Sequence, residues 1–243
     1  IRGFLPESAI CELIKPYRSN SKQLQALWDN VRKMEDDILD RLQAGGYSVN
    51  LDPSILTPAS ENEIILCLNY GGLYGINNIN HFMQENNNGK EIRRGIQRYK
   101  VGDPILFNDL ADSFFTKNKE QVPIIHNNMK GRIEDFRLLE AGKVTERIQF
   151  DIEIDKPLMN LDDKDLDFQV IGVSEKGNSI IRFEVYKNKS TDEDDDSVSK
   201  NMVPFQIAYA VSIHKAQGLE YDSVKIIITD DIDELITHSI FYT

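Results

Sequence analysis

The sequence predicts an α/β fold in which a parallel sheet flanked by helices is interrupted by a small antiparallel β-barrel. Two short apolar runs, residues 63–68 and 223–228, have the composition of strands that are buried on both faces of a parallel sheet. Between them, over residues 101–186, five short segments alternate apolar and polar residues and are separated by turn residues. That alternation is typical of an antiparallel barrel or sheet.

Helical spacing of apolar residues predicts the elements around the first strand. A short helix is expected over residues 6–14 and ends before Pro16. A longer helix follows, capped by Ser19 or Asn20 and stopped by Gly45-Gly46, with its apolar positions running from Leu24 to Leu42. A third helix is expected over residues 75–85, with these side chains facing inward: Ile76, Ile79, Phe82 and Met83.

The order of these patterns predicts three sequence segments. Residues 1–97 form the first part of the α/β domain, residues 98–200 form the inserted barrel, and residues 201–243 form the second part of the α/β domain, which we expect to be truncated. The acidic run 192–196 separates the barrel from the third segment. Apolar residues 205–211 resume the α/β pattern, and residues 235–243 begin a helix.

The charge balance is acidic, with 28 Lys and Arg against 40 Asp and Glu and a net charge of −12. This argues against a simple basic coat protein for nucleic acid. The acid is concentrated in residues 162–167 and 192–196, which we expect to be solvated loops. Residues 90–100 are locally basic and contain Arg93, Arg94 and Arg98, so a nucleic-acid groove remains open.

Cellular location is predicted from the cysteines and from the absence of long apolar runs. Cys11 and Cys67 lie far apart among apolar residues and are expected to be buried thiols rather than a disulfide or a metal site. No run is long enough to span a bilayer, and no secretion leader follows Ile1. We therefore expect a cytoplasmic protein without a metal site or a membrane partner.

A polar heptad, residues 212–218, lies between two hydrophobic elements. Ser212, His214 and Lys215 offer donors that suit phosphate oxygens. Gly218 permits close approach of the backbone to a ligand, and Glu220 provides a carboxylate just before a core strand. Spacing alone favours a surface turn over a ligand site, because short motifs are permissive.

Residues 212–227 resemble motif V of superfamily 1 DNA helicases of the UvrD-like and RecD-like branches. The family pattern is Thr, an apolar residue, His-Lys-Ser-Gln-Gly, any residue and Glu-Phe, followed by a strand. Ser212, Ala216 and Tyr221 stand here for the Thr, Ser and Phe. The resemblance implies a RecA-like domain in which Gly218 and Glu220 face ATP. It also implies that four side chains contact DNA: Ser212, His214, Lys215 and Gln217.

Residues 16–20 (PYRSN) resemble motif IV of the same family. The resemblance implies that Arg18 reaches the γ-phosphate of ATP as the catalytic arginine and that Tyr17 lies against the adenine. Arginine keeps its charge and presents a planar fork of donors, and an aromatic ring can stack on a base. A helix-capping turn with a surface arginine is the alternative interpretation.

Two further segments resemble this family. Residues 69–84 (NYGGLYGINNINHFMQ) are similar to the strand–turn–helix that follows motif IV, which implies a DNA contact by Asn69. Asn69, Asn80 and Gln84 could equally be turn and cap residues. Residues 102–105 with 126–133 resemble paired strands of the barrel inserted in RecD-like helicases, although Asn128 stands where glycine is usual.

The resemblance implies the C-terminal motor fragment of an ATP-dependent helicase that moves on single-stranded or forked DNA. The chain contains no GxxxxGK[ST] loop and no DExx box, so Mg²⁺ and ATP are expected to be bound mainly by an upstream RecA-like domain of the same protein. We expect this fragment alone to be inactive. The alternatives are an RNA translocase and a non-catalytic module that binds nucleic acid or protein on a degraded helicase scaffold.

Overall fold

The computed structural model describes residues 20–33, 37–47, 56–108, 124–143, 146–158, 167–186 and 202–229. The chain divides into two compact units, residues 1–55 with 234–243, and residues 56–233. The helices are α1 (Lys22–Lys33), α2 (Ile38–Ala44), α3 (Ile76–Asn86) and α4 (Ile213–Ala216). The strands are β1 (Glu63–Cys67), β2 (Glu91–Arg94), β3 (Gln97–Lys100), β4 (Pro104–Phe107), β5 (Lys130–Leu139), β6 (Arg147–Ile154), β7 (Gln169–Val173), β8 (Ser179–Tyr186), β9 (Phe205–Ile207), β10 (Ala210–Ser212) and β11 (Ser223–Ile227).

Helices α1 and α2 belong to the first unit. The sequence predicted one helix through Leu42, but Asp37 lies in a turn and precedes a new helix at Ile38. Aspartate is a weak helix former in the interior of a helix and a favoured N-terminal residue, so it suits a helix start. The Gly45-Gly46 stop is confirmed, with Gly46 at φ +73°. The predictions for residues 6–14 and 235–243 and for Cys11 lie outside the described residues.

The second unit contains the predicted parallel sheet. Strand β1 is central, with β10 and β11 parallel to it on either side. Ile64, Ile65 and Cys67 are buried, as the continuous apolar run predicted. Burial raises the pKa of the Cys67 thiol to about 12, and Cys67 is a free cysteine. Both predicted strands are therefore present, but the burial predicted for the second is wrong, because Val224 and Ile226 on β11 are 50% and 44% exposed.

Helix α3 packs against β10 and buries one face. Ile76, Ile79 and Met83 are buried as predicted, but Phe82 is 42% exposed. Phe82 lies about 110° around the helix from the centre of the buried stripe, given 100° per residue. Gln84, the residue after Met83, is also buried, and its side-chain amide donates a hydrogen bond to Asp103.

Six strands form an antiparallel sheet in the order β7-β8-β6-β5-β4-β9. The predicted alternation is clear in β8, where every second residue is buried. Four strand spacings separate Phe183 on β8 from Phe205 on β9, about 19 Å in a flat sheet. Their ring centroids are 6.3 Å apart, so the sheet curls around its aromatic core. Closure into a barrel stays a prediction.

The basic stretch 90–100 folds as a hairpin, which its sequence pattern did not predict. Strands β2 and β3 pair with each other in a separate two-stranded sheet, joined by Gly95 and Ile96. No helix in the described ranges has the length and hydropathy needed to cross a bilayer.

The apolar segment 205–211 is shared between the two larger sheets. Strand β9 pairs with β4 in the antiparallel sheet, and β10 pairs with β1 in the parallel sheet. Only Ala208 and Tyr209 lie between them; Ala208 donates its N–H to the Pro104 carbonyl, and the Tyr209 carbonyl accepts from the Ile65 N–H. The chain therefore leaves the parallel sheet after β1 and returns to it at β10, while the boundaries at 97/98 and 200/201 stay predictions.

Candidate nucleic-acid and nucleotide site

The candidate site is built at the carboxyl ends of the parallel strands. Cys67, the last residue of β1, is paired with Ser212 at the end of β10 and with Ile227 at the end of β11. Asn69 follows β1 by two residues and His214 follows β10 by two residues. The sheet therefore brings these two predicted DNA contacts to one edge, where polar side chains from neighbouring parallel strands meet.

Helix α4 presents the polar heptad from this edge. His214 and Gln217 are exposed, while Ser212 and Lys215 are partly buried. Ala216 and Leu219 pack against a small core that contains Ile64 and Val211. These apolar contacts hold the short helix against the sheet and leave His214 and Gln217 facing solvent.

Lys215 is engaged within the molecule. Its Nζ donates to Oε1 of Gln206 on β9 at 2.7 Å. The lysine therefore ties the heptad to the antiparallel sheet, and a phosphate would have to share this ammonium group. Its role as a DNA contact stays a prediction.

Gly218 and Glu220 lie farther along the connection to β11. Gly218 is exposed with φ +84°. Glu220 precedes Ser223, which is paired with Glu63 at the amino end of β1. The backbone carbonyl of Glu220 accepts a hydrogen bond from Lys130 Nζ at 2.9 Å. The exposed Glu220 thus lies toward the amino edge of the sheet, while His214 follows the carboxyl edge. Tyr17 and Arg18 fall outside the described residues.

Asn80 clamps the strand that leads to the heptad. Its Oδ1 accepts from the Ala210 N–H at 2.9 Å, and its Nδ2 donates to the Ala210 carbonyl at 2.9 Å and to the Ile207 carbonyl at 3.4 Å. The side chain thereby completes the backbone hydrogen bonding at the crossover between β9 and β10. Asn80 is therefore a cross-link from α3, rather than the turn or cap residue that the sequence left open.

A buried carboxylate lies beside this clamp. Asp103 is 0% exposed and accepts four hydrogen bonds, from these groups: Gln84 Nε2 at 2.6 Å, Asn87 Nδ2 at 2.7 Å, the Lys100 N–H at 2.8 Å and Tyr209 Oη at 2.9 Å. Burial first, and then the charge of Asp103, raise the pKa of Tyr209. The network joins α3 to β3 and to the crossover. The Gly102-Asp103 pair was the available sequence signal, although the partners of Asp103 are distant in sequence.

A cavity of about 660 Å³ lies near the amino edge of the parallel sheet and is lined partly by Glu220 and Tyr221. Lys130 contacts Asp155 at 2.9 Å, and its Nζ lies 4.7 Å from the Tyr221 ring centroid. Lys176 contacts Glu61 at 2.7 Å. Arg132 is the third cation of the lining, and these three cations stand against six carboxyl side chains, so the cavity has no marked preference for an anion.

Two groups at or near this cavity, Glu134 and Tyr221, have raised pKa values. Burial first, and then the charge of Glu153, raise the pKa of Glu134. Burial raises the pKa of Tyr221 to about 12. Within the described ranges, no three His, Cys, Asp or Glu side chains are grouped as a metal site requires.

Comparisons with known proteins give likenesses in structure alone. No family model matches the chain. No curated protein matches it either. The chain is similar in structure to Pif1 helicases. It is 14% identical to Pif1 from Bacteroides sp in complex with ADP-AlF4. The match covers 94% of this chain and 47% of the Pif1 chain, with a TM-score of 0.41.

Two more structures show the same level of similarity. Unliganded Pif1 from Bacteroides sp is 15% identical, with 94% of this chain and 48% of that one covered and a TM-score of 0.40. Pif1 helicase from Candida albicans is 14% identical, with 85% and 47% covered and a TM-score of 0.42. The chain spans about half the length of these structures.

Proposed function

We propose that this chain is a C-terminal motor-domain fragment of an ATP-dependent DNA helicase or translocase. The observation that carries the proposal is the exposed His214 loop at the carboxyl ends of parallel strands, with Asn69 leaving the same edge. The resemblance of residues 212–227 to motif V supports a role for this loop in binding nucleic acid and nucleotide. The activity belongs to the larger protein, in which ATP hydrolysis drives movement along single-stranded or forked DNA.

The proposed grip on DNA acts on the phosphate backbone. Ser212, His214 and Gln217 offer hydroxyl, imidazole and amide donors, and Asn69 adds a second amide from the next strand. Such contacts fix the position of a strand without reading its sequence. Lys215 adds positive charge while its Nζ is held by Gln206. A sequence-independent grip is what a translocase needs.

The nucleotide contacts are proposed for Gly218 and Glu220, which follow the DNA-contacting residues of the heptad, and for Tyr17 and Arg18 in the segment that resembles motif IV. An exposed carboxylate at Glu220 suits a hydroxyl donor such as a ribose, and repulsion makes it a poor partner for phosphates. Gly218 lets a ligand approach its backbone. Arg18 would stabilise charge on the γ-phosphate and Tyr17 would stack on the adenine. The upstream RecA-like domain would hold the phosphates and Mg²⁺, and ATP would supply the free energy of hydrolysis.

The proposal predicts weak, salt-sensitive binding of a single strand by this chain. We expect a fluorescein-labelled oligo-dT to bind at low salt, with an affinity that falls as salt rises. Replacing the exposed pair His214→Ala and Gln217→Ala removes two donors and should weaken binding about ten-fold, at about 0.7 kcal/mol for each hydrogen bond. Fluorescence anisotropy measures both effects.

The matched control for this experiment is His126→Ala, because His126 is also exposed but lies beside the antiparallel sheet. It should leave the affinity unchanged. No binding at low salt, or equal affinities for the double variant and the parent protein, would refute the proposed DNA grip. A matched oligo-U strand that competes much better than oligo-dT would change the substrate from DNA to RNA.

A further inference from the structure

The connection between α3 and β2 contains a reactive dipeptide. Asn88-Gly89 is the one Asn-Gly pair in the sequence. An asparagine before glycine is prone to deamidation, because glycine has no Cβ that would obstruct attack of its backbone nitrogen on the asparagine side chain. Asn88 is exposed, so water has access to its side chain. The pair therefore combines the sequence and the accessibility that spontaneous deamidation requires.

Packing requires a glycine at position 89. A Cβ added to Gly89 would overlap the backbone carbonyl oxygen of Val101. The backbone of Val101 is itself held in place, because its N–H donates to the Lys90 carbonyl at 3.0 Å. The fold therefore demands glycine directly after Asn88.

The neighbouring Asn87 fixes the backbone of the pair. Its Oδ1 accepts from the Gly89 N–H at 2.8 Å. Its Nδ2 donates to Asp103 Oδ1 at 2.7 Å and to the Val101 carbonyl at 3.1 Å, and its own carbonyl accepts from Lys100 Nζ at 2.7 Å. Asn87 thus ties the Gly89 N–H to the buried Asp103 network.

This hydrogen bond opposes deamidation. Ring closure requires the Gly89 nitrogen to lose its proton and to turn toward Cγ of Asn88, because resonance makes the protonated amide a poor nucleophile. In the folded chain Asn87 Oδ1 holds that proton, and the Val101 carbonyl restricts movement of Gly89. Opening of the segment removes both restraints at once.

We propose that Asn88 is a latent deamidation site, which the folded chain protects through Asn87 and which opening of the segment exposes. The Gly89 nitrogen forms a bond to Asn88 Cγ, the side-chain nitrogen leaves as ammonia with the amide proton, and water then opens the succinimide at either carbonyl. The products are aspartate and isoaspartate. Isoaspartate adds one methylene group to the main chain before Gly89, so the close packing against Val101 cannot form again.

The experiment compares deamidation in the folded chain, in the chain unfolded by guanidinium chloride, and in Asn87→Ala. Mass spectrometry of a peptide that contains Asn88 measures the loss of ammonia, and enzymatic methylation measures isoaspartate. The unfolded chain should react at least about ten-fold faster than the folded chain, because opening an anchored segment costs free energy. Folded Asn87→Ala should react about five-fold faster than the parent, as expected for the loss of one hydrogen bond.

Two variants serve as controls. Asn86→Ala removes a side chain that is also exposed and bonds only to the Phe82 carbonyl of its own helix, so it should react at the rate of the parent. Asn88→Gln should abolish the signal, because ring closure is slower for the longer side chain. After equal incubation in denaturant, Asn88→Gln should also recover more native circular dichroism on refolding than the parent does.

Each outcome decides one step of the proposal. Equal rates in the folded and unfolded parent chains would show that the fold gives no protection. A rate in folded Asn87→Ala equal to that of the parent would remove Asn87 as the protecting residue. Deamidation that persists in Asn88→Gln would assign the reaction to another residue and overturn the site. Should Asn87→Ala fail to fold, the ratio between the unfolded and folded parent chains still decides whether the fold protects Asn88.

Discussion

At the scale of single residues, Gly218 has a backbone conformation that residues with a Cβ rarely adopt. Its φ of +84° lies in the left-handed region, and a Cβ added there would meet no atom within 4 Å. Space is therefore available, and the requirement for glycine is purely conformational. The residue lets the chain turn from α4 toward β11, so the glycine of the motif has a structural role even before a ligand is considered.

Gly218→Ala should therefore lower the free energy of unfolding by about 1 to 2 kcal/mol, the cost of the left-handed conformation for a residue with a Cβ. Urea denaturation followed by circular dichroism measures this change. Gly71→Ala is the matched control, because Gly71 also has open space around it but lacks a positive φ. Equal losses in the two variants would show that the conformation of Gly218 is not the cause.

Residue roles were predictable from the sequence where the signal is local. The turn at Gly218 follows from the glycine itself, and the burial of Cys67 follows from its apolar neighbours. The partners of Asn80 could not be predicted, because they lie 127 and 130 residues away. Whether an asparagine caps a turn or cross-links two strands depends on the tertiary fold.

Between elements, the ion pair of Glu63 and Lys225 joins β1 to β11. Glu63 contacts Lys225 Nζ at 2.7 Å and accepts from Ser223 Oγ at 2.7 Å and from the Ala59 N–H at 3.2 Å. Burial opposes ionisation of this carboxyl, but the hydrogen bonds from Lys225 and Ser223 outweigh it and lower the pKa of Glu63. The charged form therefore stabilises the pairing of the two strands.

A carboxyl group with a lowered pKa stabilises the fold above the pKa of the unfolded chain, here 4.5, and loses this effect as the pH falls through the folded value. The excess stability of the parent protein over Glu63→Gln should thus be about 2 kcal/mol at pH 7 and should vanish in acid, below the folded pKa. Urea denaturation at a series of pH values measures the difference.

Glu61→Gln serves as the comparison, because Glu61 also pairs with a lysine, Lys176, but is exposed to solvent. A surface ion pair of this kind contributes little. A difference between Glu63→Gln and the parent protein that persists unchanged in acid would mean that the charge of Glu63 is not what joins the strands.

Elements with a strong apolar period were predictable, and those governed by packing were not. Strands β1, β6, β8 and β11 follow directly from their patterns. The β2–β3 hairpin was missed because its charged residues hide the alternation of Ile92 and Tyr99 toward the core. The inward orientation expected for Phe82 was wrong, because hydrophobicity alone does not determine the angular position of a residue on α3.

For the whole second unit, the crossover at Ala208 and Tyr209 connects the antiparallel sheet to the parallel sheet. Asn80 holds this crossover from α3, and Asp103 holds Tyr209 from the side of β4. Both links converge within a few residues of Ser212. The orientation of the His214 loop therefore depends on contacts made by the antiparallel sheet as well as by β1.

Asn80→Ala should release this crossover. Loss of the side-chain acceptor leaves the Ala210 N–H without its partner, so its hydrogen exchange should become at least ten-fold faster, and the free energy of unfolding should fall by about 1 to 3 kcal/mol. Exchange measured by mass spectrometry on a peptide covering residues 205–214 reports the effect. Asn78→Ala, at an exposed position of the same helix, should leave this peptide unchanged; the clamp would be disproved by equal exchange in both variants.

The two-residue connection between β9 and β10 also limits how the gene can vary. Ile207 is paired with Ile105 on one side, and Ala210 is paired with Ile65 on the other. One codon added or removed here would shift every later side chain of β10 to the opposite face, or break the ladder of β9. Substitutions in this segment can be accommodated one by one, whereas a change in its length cannot, so insertions should be excluded here and tolerated in surface loops.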